Sequence, residues 1–173
     1  MNKVLINLVN KEGKRIGSIE KIEAHKSGEL HEAFSIFIFN SRKELLLQKR
    51  NPSKYHSGGL WSNTCCSHAQ VDEQLNDATH RRLKEEMGFD CEMREVYSFV
   101  YKVSFDNGLI ENEFDHIFIG LVDSVIVKPN PEEVSGYSWI GLDDLEKNIG
   151  NCPQEYIEWL KIALRSYDFN SVL

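Results

Sequence analysis

The chain has 173 residues, 41% of them apolar and 27% charged, and its 27 acidic against 20 basic side chains leave a formal net charge of −7. That describes one domain, residues 1–173, with a sizeable core and room for one buried pocket, and it excludes disorder as the dominant state. No stretch approaches the roughly 18 uninterrupted apolar residues of a membrane span, and the start, Met1 to Asn7, soon turns charged, unlike a secretory signal, so a cytoplasmic protein with no membrane partner is expected. The acidic balance argues against a nucleic-acid footprint but leaves a local basic pocket for an anionic small molecule open.

In chain order, Val4 to Val9 and Arg15 to Ile22 read as strands around a turn at Asn10-Lys11-Glu12-Gly13. Ala33 to Phe39 and Glu44 to Lys49 repeat the pattern across Asn40-Ser41-Arg42-Lys43, and Leu45-Leu46-Leu47, apolar on both faces, marks a central strand. The spacing of Leu75, Ala78, Leu83 and Met87 predicts a helix, with Asp72 as N-cap and Gly88 as stop. Strands over Val96 to Phe105, Glu113 to Val122 and Val134 to Ile140 follow, then helices over Leu142 to Ile149 and Pro153 to Tyr167, with Pro153 in the first turn of the last. Strands interrupted by one long helix and closed by helices predict an α/β arrangement, a mixed sheet covered by helices.

Cys65, Cys66, Cys91 and Cys152 form no Cys-x-x-Cys pair, so reduced thiols are expected. Neighbouring strand residues point to opposite faces, so at most one of Cys65 and Cys66 faces any one cavity. His25, His31 and His68, with Glu111 and Glu113, are metal-like. The two glutamates lie two apart, which on a strand sends both carboxylates to one face, as a shared cation requires and as charge repulsion otherwise penalises. Mixed imidazole and carboxylate ligands suit Zn, Mn or Fe better than Ca, and Mg prefers more oxygen; the sequence does not choose among them.

On the long helix, Glu73, Arg81, Glu85, Glu86 and Gly88 hold the spacing of the Nudix box, Gly-x5-Glu-x7-Arg-Glu-U-x-Glu-Glu-x-Gly-U with U aliphatic. Ser67 stands where the box begins with Gly, Arg82 replaces the Glu after its Arg, and Phe89 fills the last slot. Losing a carboxylate and gaining a guanidinium weakens diphosphate hydrolysis as a reading and strengthens anion binding; read blandly, Arg82 and Glu86 are an i,i+4 surface pair.

The run Trp61-Ser62-Asn63-Thr64-Cys65-Cys66-Ser67-His68, with Leu30 to Ser35, Leu46 to Arg50, Glu111 to His116 and Tyr137-Ser138-Trp139, resembles the type I isopentenyl-diphosphate isomerases, enzymes of Nudix-like fold. The resemblance spans nearly the whole chain, is looser after Pro153, and departs at Ser57-Gly58-Gly59, where the family often has a Pro-Gly turn. It implies a metal-dependent interconversion of isopentenyl and dimethylallyl diphosphate through a tertiary carbocation. By the same resemblance, Cys66 and Glu113 are the proton-transfer pair, Tyr101 hydrogen-bonds the carboxylate, and Trp159 faces the cation. It further implies one divalent metal (Mn, Zn or Mg) on His25, His31, His68, Glu111 and Glu113. A second ion, Mg, would sit on Glu86 and bridge to a diphosphate clamped by Lys21, Arg50, Lys54 and Arg82. His56, His80 and His116 fill no ligand slot. A Nudix hydrolase of nucleoside or isoprenoid diphosphates is the rival enzyme, motivated by Glu85 and Glu86, and a catalytically idle binding module is the rival from another class. The expected partner is an isoprenoid diphosphate, and the expected assembly a monomer or weak homodimer.

Overall fold

The computed structural model describes residues 4–173; Met1 to Lys3, part of the start that reads as unlike a secretory signal, lie outside the described residues. Strands β1 (Leu5–Val9) and β2 (Arg15–Glu20) form the expected hairpin, turning through Gly13 at φ 76°. The expected strand does not run on to Ile22: Lys21–Ser27 is a helix, α1, capped by the Glu20 carboxylate on the Glu23 amide and ended by Gly28 in the left-handed region. Seven residues are too few for helical periodicity to stand out against the strand pattern before them.

Next come β3 (His31–Asn40), β4 (Glu44–Arg50), two short strands the sequence reading lacks, β5 (Trp61–Ser62) and β6 (Cys65–Ser67), and helix α2 (Leu75–Met87). Helix α2 ends at Gly88 as expected but is not capped by Asp72, which lies at φ 69° in a turn; Gln74 is the N-cap. Bonds from the Gln70 amide and from Arg81 to the Glu73 carboxylate fix that turn and delay the helix. The chain continues with β7 (Met93–Ser104), β8 (Ile110–Val122), β9 (Val134–Gly141) and α3 (Leu142–Asn151). Pro153 opens a 3-10 turn at Pro153–Glu155 rather than a helix running to Tyr167, and helix α4 spans only Glu158–Ser166. The break has a cause: Tyr156 bridges to Trp61, and the Ile157 amide donates to the Trp61 carbonyl at 3.0 Å.

Strand β3 is the spine of a mixed sheet. Parallel β8 covers one edge from His31 to Asn40, while β1, β6 and β4 share the other edge. Strand β4 meets β3 only where Phe39 faces Leu45 and then diverges to pair with β9 and β5. Residues 61–67 wedge into the fork, tied by Ile38 N to Thr64 Oγ1, Thr64 Oγ1 to Leu46 O, and Asn63 Nδ2 to Ile36 O, all at 2.7 to 3.0 Å. Leu45, Leu46 and Leu47 are buried on both faces, as expected for a central strand. One core lies under α2, around Phe34, Ile36, Ile38 and Met87, and the other under α3 and α4, around Phe37, Phe39, Ile117 and Leu160. Cys65 belongs to the first and Cys66 packs on the second, so the two thiols do part across the sheet.

Candidate active site

The alternation that builds the second core also builds the site. Phe37 and Phe39 on β3, and Ile117 and Ile119 on β8, are core; the same faces carry His31, Ser35, Glu111, Glu113 and Asp115 toward the start of each strand, all buried. Helix α1 lays His25 over them, and β6, paired with β3 at Ser35 opposite Cys66, brings Cys66 and, just beyond it, His68. Polar side chains replace apolar ones where the sheet opens, and a cavity of about 50 Å³ forms there, lined by Cys66, Glu113, Tyr101, Trp159 and the four expected cations.

The ligand atoms of His25, His31, His68 and Glu113 lie within 4.8 Å of one another, four of the five residues expected at one metal. Glu111 instead groups with His25 and His56, a residue the sequence reading set aside. His25 Nδ1 donates to the Lys21 carbonyl at 2.7 Å and His31 Nδ1 to the Glu29 carbonyl at 2.8 Å, which fixes both tautomers and leaves each Nε2 lone pair facing inward. Nε2 of His25, His31 and His56 and Nδ1 of His68 are buried with no hydrogen-bond partner, a pattern a bound cation accounts for. Burial lowers His25 and takes His56 and His68 down to about 3, so these rings are neutral at physiological pH, the form that binds metal.

Tyr101 donates its hydroxyl to Glu113 Oε2 at 2.5 Å, and His68 Nε2 lies 3.0 Å from the other oxygen. Burial pushes the Glu113 carboxyl up, but the neighbouring imidazoles of His31, 3.4 Å away, and His68, 3.0 Å away, outweigh it and hold the group well below the ordinary range. Glu111 is pushed well above the ordinary range, by burial first and then by the Glu113 charge beside it. Cys66 donates its S–H to Asn63 Oδ1 at 2.9 Å and accepts the Trp159 indole N–H at 3.0 Å. Burial, with Asp115 adding to it, raises the thiol to about 12. One side of the cavity thus holds a proton and the other an ionised carboxylate.

Lys21, Arg50, Lys54 and Arg82 converge at the mouth. Lys54 pairs with Glu133, and Arg82 with Glu86 and Glu85. At about 50 Å³ the cavity is far smaller than the roughly 300 to 1,000 Å³ of ordinary ligand pockets. Four cations against Glu86, Glu111, Glu113 and Glu133 nearly balance, so the clamp attracts an anion once metal ions or protons neutralise the carboxylates. Burial and then the Arg82 charge hold Lys21 below lysine's ordinary value, against the opposing pull of Glu86 and Glu113. Gln48 Nε2 donates to Glu86 Oε2 at 2.8 Å and orients it toward the cavity. Glu73 and Arg81 instead form an ion pair at 2.7 Å that braces the start of α2. His116 points away from Glu113 and pairs with Glu95, and His80 pairs with Asp90, so both stand outside the site as expected.

Ser35, Asn63, Asp115 and Glu133 are site residues that the sequence reading left without a role. The first three lie inside the quoted motifs, which was the available signal; Glu133, in the loop before β9, has none.

A NUDIX domain profile matches residues 29–160. A solved protein from Deinococcus radiodurans superposes with a TM-score of 0.77 over 95% of this chain and 99% of its own, at 21% identity. The chain is therefore a NUDIX protein, with the family's mixed sheet and covering helices. Isopentenyl-diphosphate Delta-isomerase 2 of Photorhabdus laumondii is 46% identical over 172 residues, 99% of this chain and 96% of its own length. Isopentenyl-diphosphate Delta-isomerase 1 of Aromatoleum aromaticum is 49% identical over 91% of this chain and 88% of its own. Within the NUDIX proteins, this chain belongs to the isopentenyl-diphosphate Delta-isomerase family.

Proposed function

We propose that the protein interconverts isopentenyl and dimethylallyl diphosphate. The observation that carries this is one cavity lined by both Cys66 and Glu113, with Lys21, Arg50, Lys54 and Arg82 around it. An unactivated alkene shifts when one carbon gains a proton and a different carbon loses one, so two separate proton-transfer groups are required. Cys66 and Glu113 fill these roles from two strands, and because the reaction is reversible each gives in one direction and takes in the other. Tyr101 holds the Glu113 carboxylate. The Trp159 indole orients the thiol and offers an aromatic face to the cation, an attraction of roughly 2 kcal/mol once desolvated. Core residues around it exclude the water that would trap that cation as an alcohol.

The four cations hold the diphosphate, which takes Lys54 and Arg82 from their present carboxylate partners. Two divalent ions complete the site. Glu86 would hold Mg, and His25, His31, His68, Glu113 and Glu111 would hold Mn, Zn or Mg; bound there, the ions would supply charge neutralisation. No helix among the described residues is long and apolar enough to cross a membrane. The net charge of −7 favours a small-molecule substrate over nucleic acid, and a cytoplasmic protein, monomeric or weakly dimeric, is part of the same proposal.

Incubation of the purified protein with isopentenyl diphosphate and Mg tests the reading against hydrolysis. The expected product is the acid-labile allylic diphosphate with no phosphate released; phosphate release with the alkene unmoved contradicts it.

A further inference from the structure

The site holds one imidazole more than its expected set. His56, in the loop between β4 and β5, is 7% exposed, and its Nε2 lies 3.3 Å from Glu111 Oε1 without the alignment of a hydrogen bond. A nitrogen left buried and unpartnered bears the desolvation penalty of a polar group with no hydrogen bond to offset it. The ring is not free to turn away: it stacks on Phe105 at 4.8 Å and meets the edges of Tyr55 at 4.4 Å and Trp159 at 5.9 Å.

The geometry also says which ion His56 would serve. Ligand atoms of His25, His56 and Glu111 lie within 4.8 Å of one another, and His25 belongs equally to the group with His31, His68 and Glu113. Its Nδ1 is committed to the Lys21 carbonyl, so His25 has a single lone pair, on Nε2, and binds one ion. The two groups are therefore two sides of one centre. We propose that His56 is a fourth imidazole ligand of the ion bound through His25, entering from the Glu111 side. This rests on the metal reading above and makes the centre richer in nitrogen, which favours Zn or Co over Mg or Mn.

The test reads metal, not turnover. Protein stripped of metal is titrated with Zn against a chromophoric chelator, as wild type and as His56→Phe, which keeps a ring against Phe105 and Trp159 but cannot ligate. Zn affinity should fall at least about tenfold in His56→Phe, with Mg affinity changed far less; unchanged Zn affinity overturns the proposal. A crystal structure of the Zn-loaded wild type decides it without any variant. His56 Nε2 should sit about 2.1 Å from the ion. An ion held by His25, His31 and His68 with His56 out of bonding reach overturns the His56 assignment alone, and no ion at any of these residues overturns the metal reading as well.

Discussion

The Trp159 indole N–H donates to the Cys66 sulfur at 3.0 Å, joining residues 93 positions apart. The contact depends on the break at Tyr156 and Ile157, which turns α4 so that Trp159 lines the cavity with Cys66. Trp159→Phe keeps an aromatic face but loses the donor and part of the attraction for positive charge. Turnover should fall about ten- to thirtyfold, equivalent to roughly 1.4 to 2 kcal/mol, with KM within about threefold. Steady-state kinetics check this, and an unchanged kcat would remove Trp159 from the reaction.

Lys54 is paired with Glu133 across the mouth of the cavity and is remote from the reacting carbons in the proposed mode of binding. A group that binds the unreactive diphosphate equally in ground and transition states affects KM more than kcat. Lys54→Ala should raise KM about tenfold, the value of one charge-assisted contact, and leave kcat within about threefold. An unaltered KM would contradict the clamp.

Burial takes the Cys66 thiol up to about 12, so in metal-free protein at pH 7.5 the thiolate is on the order of one part in 10⁴ or less. The shift is upward, so reactivity is low at neutral pH and grows as pH rises. Alkylation by iodoacetamide, followed by mass spectrometry at Cys66, should increase about tenfold per pH unit from pH 7 to 10 without a plateau. A plateau near pH 8 or 9 would mean an ordinary thiol.

Gly88 ends α2 at φ 76°, and a Cβ there would run into the Lys128 carbonyl oxygen. Gly88→Ala therefore combines left-handed strain with a backbone clash and should destabilise the fold by about 2 kcal/mol or more. Urea unfolding measures it. A loss below about 0.5 kcal/mol, the level of an ordinary surface change, would show that the loop at Lys128 gives way freely.

Where the sequence was legible, one physical signal dominated. The strict alternation of Glu111 and Glu113 put both carboxylates on one face, and the adjacency of Cys65 and Cys66 sent only one thiol to the cavity; both hold. Helix α2 was plain from its period and from Gly88. Helix α1, strands β5 and β6, and the break before α4 were not, because each is short and is set by a distant partner. Trp61 bonding Ile157 is invisible until the fold exists. His56 and Glu133 escaped for the same reason: they sit in loops without periodicity and enter the site through partners distant in sequence, Glu111 and His25 for one and Lys54 and Arg82 for the other.

The central claim is that protons move between the protein and the five-carbon skeleton through Cys66 and Glu113. Proton NMR of isopentenyl diphosphate incubated with the protein and Mg in deuterated water reads this directly. The account predicts deuterium entering the skeleton as dimethylallyl diphosphate forms, and none with Cys66→Ala or Glu113→Gln, both still folded by circular dichroism. Product that carries no deuterium, or exchange that continues at the wild-type rate in both variants, would contradict it.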